Sequence, residues 1–205
     1  MSYNPDMLIP TGRAEAEIEV RRSRFIAIAI PVHTMEEVKE AVLSVRKEHP
    51  GAAHVVHAAV IGNAGTMYSS SDDREPKNTA GRPALEVLKG SGITDIAVAI
   101  VRYFGGTLLG TGGLVKAYGD SVKEVLKAVR TEPLIEKASF RMILPYNAYT
   151  LIKRIMDANE ATVSSETFDI DIAIEGTLPS SHYDSFMADA MDAGQGRILI
   201  ERINT

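Results

Sequence analysis

The spacing of apolar residues divides the first third of the chain into strands and a helix. Alternation over residues 15–20 and a nearly continuous apolar run over 25–32 predict two strands. Thr34, with a glutamate at 37, forms the pattern of a helix N-terminus closed by a capping box. A strand over residues 52–61 follows the Pro50-Gly51 break. We therefore expect a β-β-α-β start to the fold.

One polar stretch and one strongly apolar stretch determine the predicted secondary structure in the middle of the chain. Residues 62–83 are rich in Gly, Ser, Asp and Asn and predict a loop of about 20 residues, a length that is usually functional or disordered. A short helix is predicted over 83–89. Residues 96–101 are continuously apolar, which predicts a strand buried on both faces. A helix over 114–129 follows, and 131–133 is predicted as a linker.

The last third of the chain has a different and more compact pattern. The predicted order is strand, helix, strand, strand, helix, strand, over residues 138–144, 146–158, 161–167, 169–178, 181–193 and 197–203. This β-α-β-β-α-β order is that of the ferredoxin-like split βαβ motif. We therefore predict an α+β protein with two domains, residues 1–133 and 134–205.

Composition narrows the class of protein. The 205 residues are 45% hydrophobic and 24% charged, which is typical of a globular chain and not of a disordered or fibrous one. The absence of cysteine excludes disulfides, thiolate nucleophiles and cysteine-ligated metals. We find neither a secretion signal nor an apolar run of membrane-spanning length, so we expect a cytoplasmic protein without a membrane partner.

The charge is unevenly distributed along the chain. Residues 1–137 carry 17 basic and 17 acidic side chains, whereas residues 138–205 carry 5 and 10. The whole net charge of −5 therefore lies in the last third. This makes the C-terminal domain a poor candidate for binding a phosphate backbone unaided.

A glycine-rich stretch at 105–113 lies between the buried strand and the following helix. Backbone N–H groups at such a position favour an anion. Thr111 and Val115 stand where a P-loop would need lysine and a dinucleotide fingerprint would need glycine, so neither motif is present. The alternative is that the glycines only permit tight turns. Arg102, at the end of the strand, has two interpretations: a functional group, or a structural partner of Asp72 or Asp73.

The other polar candidates give weaker signals. In the loop, acidic residues alternate with Arg74, Lys77 and Arg82, which favours a solvated, self-paired loop over a cation site. His54 and His57 are three residues apart in a predicted strand, so they should point to opposite faces and not share a metal. We expect no metal, no cofactor and no catalytic residues.

Several of these segments together form a specific set of motifs. The chain resembles the YigZ/IMPACT family in the blocks Arg102–Leu114, Asp72–Pro76 and Thr79–Pro83, with Ser23-Arg24-Phe25 and His54 matching its early motifs. The resemblance covers nearly the whole chain. Several positions depart from it: Arg74 stands where the family usually has glycine, Lys77-Asn78 replaces Ser-Gly, Leu108 stands where lysine is frequent, and His57 stands where the pattern after His54 usually has tyrosine.

The resemblance implies both a fold and a role. It implies an N-terminal domain like the second domain of ribosomal protein S5 and domain IV of elongation factor G, and a C-terminal domain like domain V of that factor. Eukaryotic members regulate translation as binding proteins. The resemblance therefore implies a partner in the translation apparatus.

We predict a noncatalytic binding protein that acts on RNA, the ribosome or a translation-associated protein. The predicted anion or RNA surface consists of Arg24, Asp72, Asp73, Glu75, Thr79, Arg82, Arg102, Gly105, Gly106, Gly112 and Gly113. In it, the arginines contact anionic groups, the three acids orient them, and the glycines allow close backbone approach. One alternative is a hydrolase or transferase acting on a phosphorylated small molecule in the cleft between residues 72–83 and 105–113. Another is a protein-interaction module built on the ferredoxin-like sheet. The sequence leaves the oligomeric state open.

Overall fold

The structure, a computed structural model, describes residues 7–203. The chain divides into two compact units, the first ending at Leu134 and the second beginning at Ile135. Each unit has its own hydrophobic core, and both combine antiparallel sheets with helices. The protein is therefore of the α+β class with two domains.

The first unit is built on a five-stranded antiparallel sheet. The strands of the whole unit are, in chain order, β1 Leu8–Pro10, β2 Ala14–Val20, β3 Ser23–Pro31, β4 His54–Ile61, β5 Met67–Ser71, β6 Ile96–Tyr103 and β7 Thr131–Pro133. The sheet order is β2-β3-β6-β4-β5, while β1 and β7 pair separately with each other. β6 is therefore the central strand, and residues 96–101 are buried along their whole length, as their continuous apolarity predicted.

Helices cover both faces of this sheet. They are α1 Met35–Glu48, α2 Gly81–Lys89 and α3 Gly110–Ala128. α2 and α3 pack against the face that carries Phe25 and Ile100, whereas α1 packs against the face that carries Ile28 and Val101. Successive residues of a strand point to opposite faces, so each inner strand contributes to both cores.

The start of α1 follows the capping pattern with one change. The Thr34 hydroxyl accepts a hydrogen bond from the Glu37 N–H at 3.1 Å, as a capping box requires. The Glu37 carboxylate accepts from the N–H of His33 at 2.7 Å, one residue before the cap. Both bonds hold the entry to the helix.

Three boundaries in this unit differ from the sequence prediction. Residues 62–83 are not one loop, because β5 pairs with β4 inside them and α2 begins at Gly81. α3 begins at Gly110 and not at 114. Residues 131–133 are a strand and not a linker, because they pair with β1, more than 100 positions earlier in the chain.

The second unit has the predicted β-α-β-β-α-β order. Its elements are β8 Lys137–Leu144, α4 Tyr149–Ala158, β9 Thr162–Phe168, β10 Ile172–Pro179, α5 Tyr183–Gly194 and β11 Leu199–Ile203. The sheet order is β11-β8-β10-β9, all antiparallel. Alternate residues of β8 and β10, such as Phe140 and Ile174, are buried against the two helices together with Ile152 and Phe186. The ferredoxin-like topology is therefore confirmed.

Candidate functional site

A cleft of about 500 Å³ lies in the first unit, at the end of β6 and beside the first turn of α3. Its lining comprises Ala53, His54, Glu75, Pro76, Arg102, Phe104, Leu108, Leu109, Gly110, Thr111 and Leu114. It thus joins the polar loop and the glycine-rich stretch that the sequence indicated. Its volume lies in the range of sites for small molecules.

Arg102 and Glu75 form a buried ion pair in this cleft. Arg102 Nη1 donates to Glu75 Oε1 at 2.6 Å, and the two side chains are only 6% and 4% exposed. The guanidinium also lies over the rings of Phe25 and Phe104, at 5.5 and 5.7 Å from their centroids. Its Nε is buried without an acceptor among the described residues. Arg102 is thus paired to a loop acid, but to Glu75 and to neither Asp72 nor Asp73.

Tyr118 completes this buried network from α3. Its hydroxyl donates to the same oxygen, Glu75 Oε1, at 2.8 Å. Burial beside the Glu75 carboxylate raises the pKa of the Tyr118 phenol, so it remains protonated and serves as a donor. Both hydrogen bonds of the carboxylate fall on Oε1, and among residues 7–203 no hydrogen bond is made to Oε2.

His54 lies on β4 directly opposite Arg102 on β6. Its Nδ1 lies 2.7 Å from the carbonyl oxygen of Asp73. A carbonyl can only accept, so Nδ1 carries the proton and Nε2 of the neutral ring is an acceptor. Nε2 lies 3.9 Å from Glu75 Oε1. His57 lines a separate cleft beside α1, so the two histidines point to opposite faces of the sheet.

The remaining loop residues that the sequence selected hold the loop itself. The Asp72 carboxylate accepts from the backbone N–H groups of residues 78, 80 and 81 and so caps the start of α2. Asp73 accepts from the N–H of Val55 at 2.6 Å and pairs with Arg46 at 2.9 Å. The Thr79 hydroxyl donates to the carbonyl of Pro76. The prediction that all three acids orient Arg82 and Arg102 is therefore wrong for Asp72 and Asp73.

The four selected glycines have different roles. A methyl group at Gly105 would overlap the backbone carbonyl of Arg22, so Gly105 admits the turn between β2 and β3 and not a ligand. Gly106 has φ +81°, a conformation that favours glycine. Gly112 has open space at its Cβ position, and Gly113 would press on Leu109. The sequence analysis predicted that these glycines let a ligand approach the backbone closely. At Gly105 it is the backbone of Arg22 that approaches closely.

Arg24 lies on the wrong face of the sheet for this site. It is opposite Tyr103, which packs on the α1 face, whereas Arg102 and Phe25 form the adjacent pair on the α2–α3 face. Arg24 also makes two 2.8 Å hydrogen bonds to Glu17. Including it in the same surface is therefore a mistaken prediction, because residues 24 and 102 differ by one position in register. Arg82, in the first turn of α2, is exposed and does not line the cleft.

Exposed cations lie on segments that adjoin the cleft. Arg74 precedes and Lys77 follows the lining pair Glu75 and Pro76 in the chain, and the backbone of Arg22 packs against Gly105, the residue after the lining residue Phe104. We call Arg22, Arg74 and Lys77 the rim cations. All three are exposed, and within residues 7–203 none of them forms an ion pair. Phe104 beside them is 51% exposed. The rim therefore offers uncommitted positive charge next to an aromatic surface.

Two absences complete the description of residues 7–203. No cluster of three or more His, Asp or Glu side chains has the arrangement of a metal site. None of the helices in this range combines the length and apolarity that crossing a bilayer requires.

Sequence reasoning did not pair Tyr118 with Glu75 or Arg46 with Asp73. Tyr118 lies 43 positions after Glu75, and Arg46 lies on the far side of the sheet from the cleft. One signal for Tyr118 was available: in α3 it lies four positions after Leu114 and one turn further along the same buried face.

Comparison with known proteins gives consistent matches. Residues 21–126 match the model of the Impact N-terminal domain. The chain is 32% identical to an IMPACT family member from Haemophilus influenzae, over 96% of each chain. It is 34% identical to IMPACT family member YigZ from Escherichia coli, over 94% of this chain and 96% of that protein. A crystal structure of a hypothetical protein with 34% identity superimposes with a TM-score of 0.77 over 97% of both chains.

Proposed function

The chain belongs to the IMPACT family, and from this membership and the cleft geometry we propose that it is a binding protein that engages RNA of the translation apparatus in the cytoplasm. The single observation that carries the RNA proposal is that the exposed rim cations lie on segments adjoining a cleft that has an exposed aromatic side chain. Positive side chains neutralise phosphates, and aromatic rings stack on bases. This combination is typical of surfaces that bind single-stranded nucleic acid.

The electrostatics favour a local patch over a general attraction. Residues 1–137 carry equal numbers of basic and acidic side chains and the net charge of −5 lies in residues 138–205, so the chain has no overall attraction for a polyanion. Within the described part of the chain the rim cations have no acidic partner, so a phosphate that binds them breaks no ion pair there. Arg24 differs in this respect, because Glu17 already occupies its guanidinium.

The link to translation rests on the family. The eukaryotic members that the motifs resemble regulate translation as binding proteins, and we extend that class of role to this chain. RNA and the ribosome are the partners whose chemistry fits the rim cations. A translation-associated protein is the other partner that the family resemblance implies.

The test is recovery of partners from the native lysate at low and at moderate salt, with RNA sequencing and protein identification on the same sample. We expect ribosomal RNA and ribosomal proteins at low salt, and their loss with the double variant Arg22→Glu/Lys77→Glu. Lys47→Glu is the control for a charge reversal away from the cleft, because Lys47 is exposed on α1 at the opposite face of the sheet. Equal recovery with all three proteins would contradict the proposal.

One specific observation favours a second candidate function, an enzyme acting on a phosphorylated small molecule. His54 has its Nδ1 proton held by a carbonyl, which leaves Nε2 free to take a proton within the cleft. A hydrolase or transferase that uses histidine as its general base has such a group. A screen for phosphatase, nuclease and esterase turnover tests it, and only turnover that is lost in His54→Ala would support this candidate.

A further inference from the structure

We infer that the cleft is a pocket for a guanine base. The inference deepens the proposed function, and it rests on that function for the RNA in which the base is presented. The inference starts from three hydrogen-bonding residues that line the cleft, His54, Glu75 and Arg102, which we call the cleft floor. These three groups differ in what they still offer to a ligand after their internal bonds are counted.

Arg102 offers donors. A guanidinium has five N–H groups, and the only side-chain acceptor that Arg102 contacts among the described residues is Glu75 Oε1. Its Nε remains without an acceptor. The ion pair therefore holds the guanidinium in place without exhausting its donors.

Glu75 and His54 offer acceptors. Glu75 receives its hydrogen bonds from Arg102 and Tyr118 on Oε1, so Oε2 retains its capacity to accept. The carbonyl of Asp73 holds the proton of His54 on Nδ1, so Nε2 accepts in the neutral ring. Glu75 Oε1 lies 2.6 Å from Arg102 Nη1 and 3.9 Å from His54 Nε2, so the carboxylate is close to both other groups. In the proposed pose the three groups meet the edge of a base in the order donor, acceptor, acceptor.

Guanine is the base whose edge complements this order of donor and acceptor groups. Its O6 accepts, and its N1–H and N2 amino group both donate. Uracil offers two acceptors around one donor, cytosine offers one donor and two acceptors, and adenine lacks the second donor. In the proposed pose Arg102 donates to O6, Glu75 accepts from N1–H, and His54 accepts from the N2 amino group.

The walls of the cleft suit a flat aromatic ring. Phe104 is half exposed, with the Arg102 guanidinium 5.7 Å from its ring centroid, and Leu109 and Leu114 line the cleft with it. A base that stacks on Phe104 is held with its polar edge toward the floor. In this pose the phosphates on either side of that nucleotide contact the rim cations, whose segments adjoin the lining residues. Polar floor, apolar walls and cationic rim each match one part of a guanine nucleotide.

The test compares single-stranded RNAs of equal length and charge that differ at one central base. Labelled adenosine-rich RNAs carry guanosine, 7-deazaguanosine, inosine or adenosine at that position, and binding to the full chain is measured by fluorescence anisotropy. 7-Deazaguanosine keeps the whole edge that the floor contacts, whereas inosine lacks only the N2 amino group. We expect 7-deazaguanosine to match guanosine within about twofold, and inosine and adenosine to bind on the order of tenfold more weakly.

Two protein variants locate the contacts. In His54→Ala, guanosine and inosine should bind equally, because the group that distinguishes them is gone. Glu75→Gln should lose the preference for guanosine over adenosine, and a thermal unfolding curve shows whether this variant is folded. The base substitutions require no change in the protein, so the inference is decided even where a variant does not fold.

The arms of the experiment separate this inference from the proposed function. Equal, salt-dependent binding of all four RNAs would overturn the guanine pocket and leave RNA binding intact. Calorimetric titration with free guanosine and adenosine monophosphates decides the source of the base: binding of guanosine monophosphate without binding of RNA would keep the pocket and overturn the RNA function. Binding of neither would overturn both.

Discussion

The cleft floor and the rim cations differ in what their charges already do. On the floor, Arg102 and Glu75 are almost fully buried and hold each other, so their chemistry is tied to the stability of the fold. On the rim, Arg22, Arg74 and Lys77 are exposed and carry no internal partner among residues 7–203. Substitutions on the floor should therefore change stability and selectivity together, whereas removing the charge of a rim cation should change affinity and leave stability nearly unchanged unless the backbone conformation also changes.

The largest expected effect is that of Arg102→Met. The change removes the charge partner of Glu75 and leaves a carboxylate buried without compensation. We expect a loss of about 3–5 kcal/mol in the free energy of unfolding, measured by urea denaturation. A loss below about 1 kcal/mol would show that the Arg102–Glu75 pair does not tie the cleft floor to the stability of the fold, and would contradict the difference drawn between floor and rim.

Gly105→Ala should come next. The added methyl group overlaps the carbonyl of Arg22, so the turn between β2 and β3 must move away. We expect a loss of about 1–3 kcal/mol on denaturation. Gly112→Ala is the matched control, because its Cβ position is open and its helical site favours alanine by up to about 1 kcal/mol. Equal effects at the two glycines would contradict this account.

Tyr118→Phe should cost about 1–2 kcal/mol near neutral pH, because Glu75 loses one hydrogen bond. The pH dependence is a sharper measurement. The pKa of Tyr118 is raised in the folded state, so this phenol favours folding below about pH 10 and loses that contribution as the pH rises above it. The difference in stability between wild type and variant should therefore shrink above pH 10. A difference that is constant from pH 7 to 11 would exclude the buried phenol as its source.

The smallest expected effect has the opposite sign. Arg74 adopts φ +68°, where a side chain is strained, at a position where the motif resemblance implies glycine. Arg74→Gly should stabilise the fold by up to about 1 kcal/mol in thermal unfolding, while it weakens RNA binding. Arg74→Ala removes the same charge but keeps the strain, so stabilisation by alanine as well would assign the effect to charge.

Much of the fold was predictable because its signals are local. The apolar run at 96–101, the cap at Thr34 and the alternation in the last third each specify an element within a few residues. β5 was missed because Met67–Ser71 is mostly serine, which has little preference for strands, and it forms only by pairing with β4. β1 and β7 were missed for a similar reason, since three-residue strands depend entirely on a distant partner.

The site was predictable as a region but not as a set of contacts. The loop and the glycine stretch do meet in one cleft, and Glu75 and Arg102 both line it. The sequence could not show which acid pairs with Arg102, because the acids at 72, 73 and 75 are neighbours and differ only in the direction in which their side chains point. A turn with φ +42° at Asp73 and +68° at Arg74 sends each carboxylate to a different element. Arg24 was assigned to the wrong face because the exact sheet register is not visible in the sequence.

The central claim is that the rim cations bind the phosphates of RNA. The most direct measurement is the salt dependence of RNA affinity for the wild type, Arg22→Glu/Lys77→Glu and Lys47→Glu. The logarithm of the affinity should fall linearly with the logarithm of salt concentration, with a shallower slope by about one to two for the double variant and an unchanged slope for Lys47→Glu. All three unfolding curves should agree within about 0.5 kcal/mol. Identical slopes for the three folded proteins would contradict the claim.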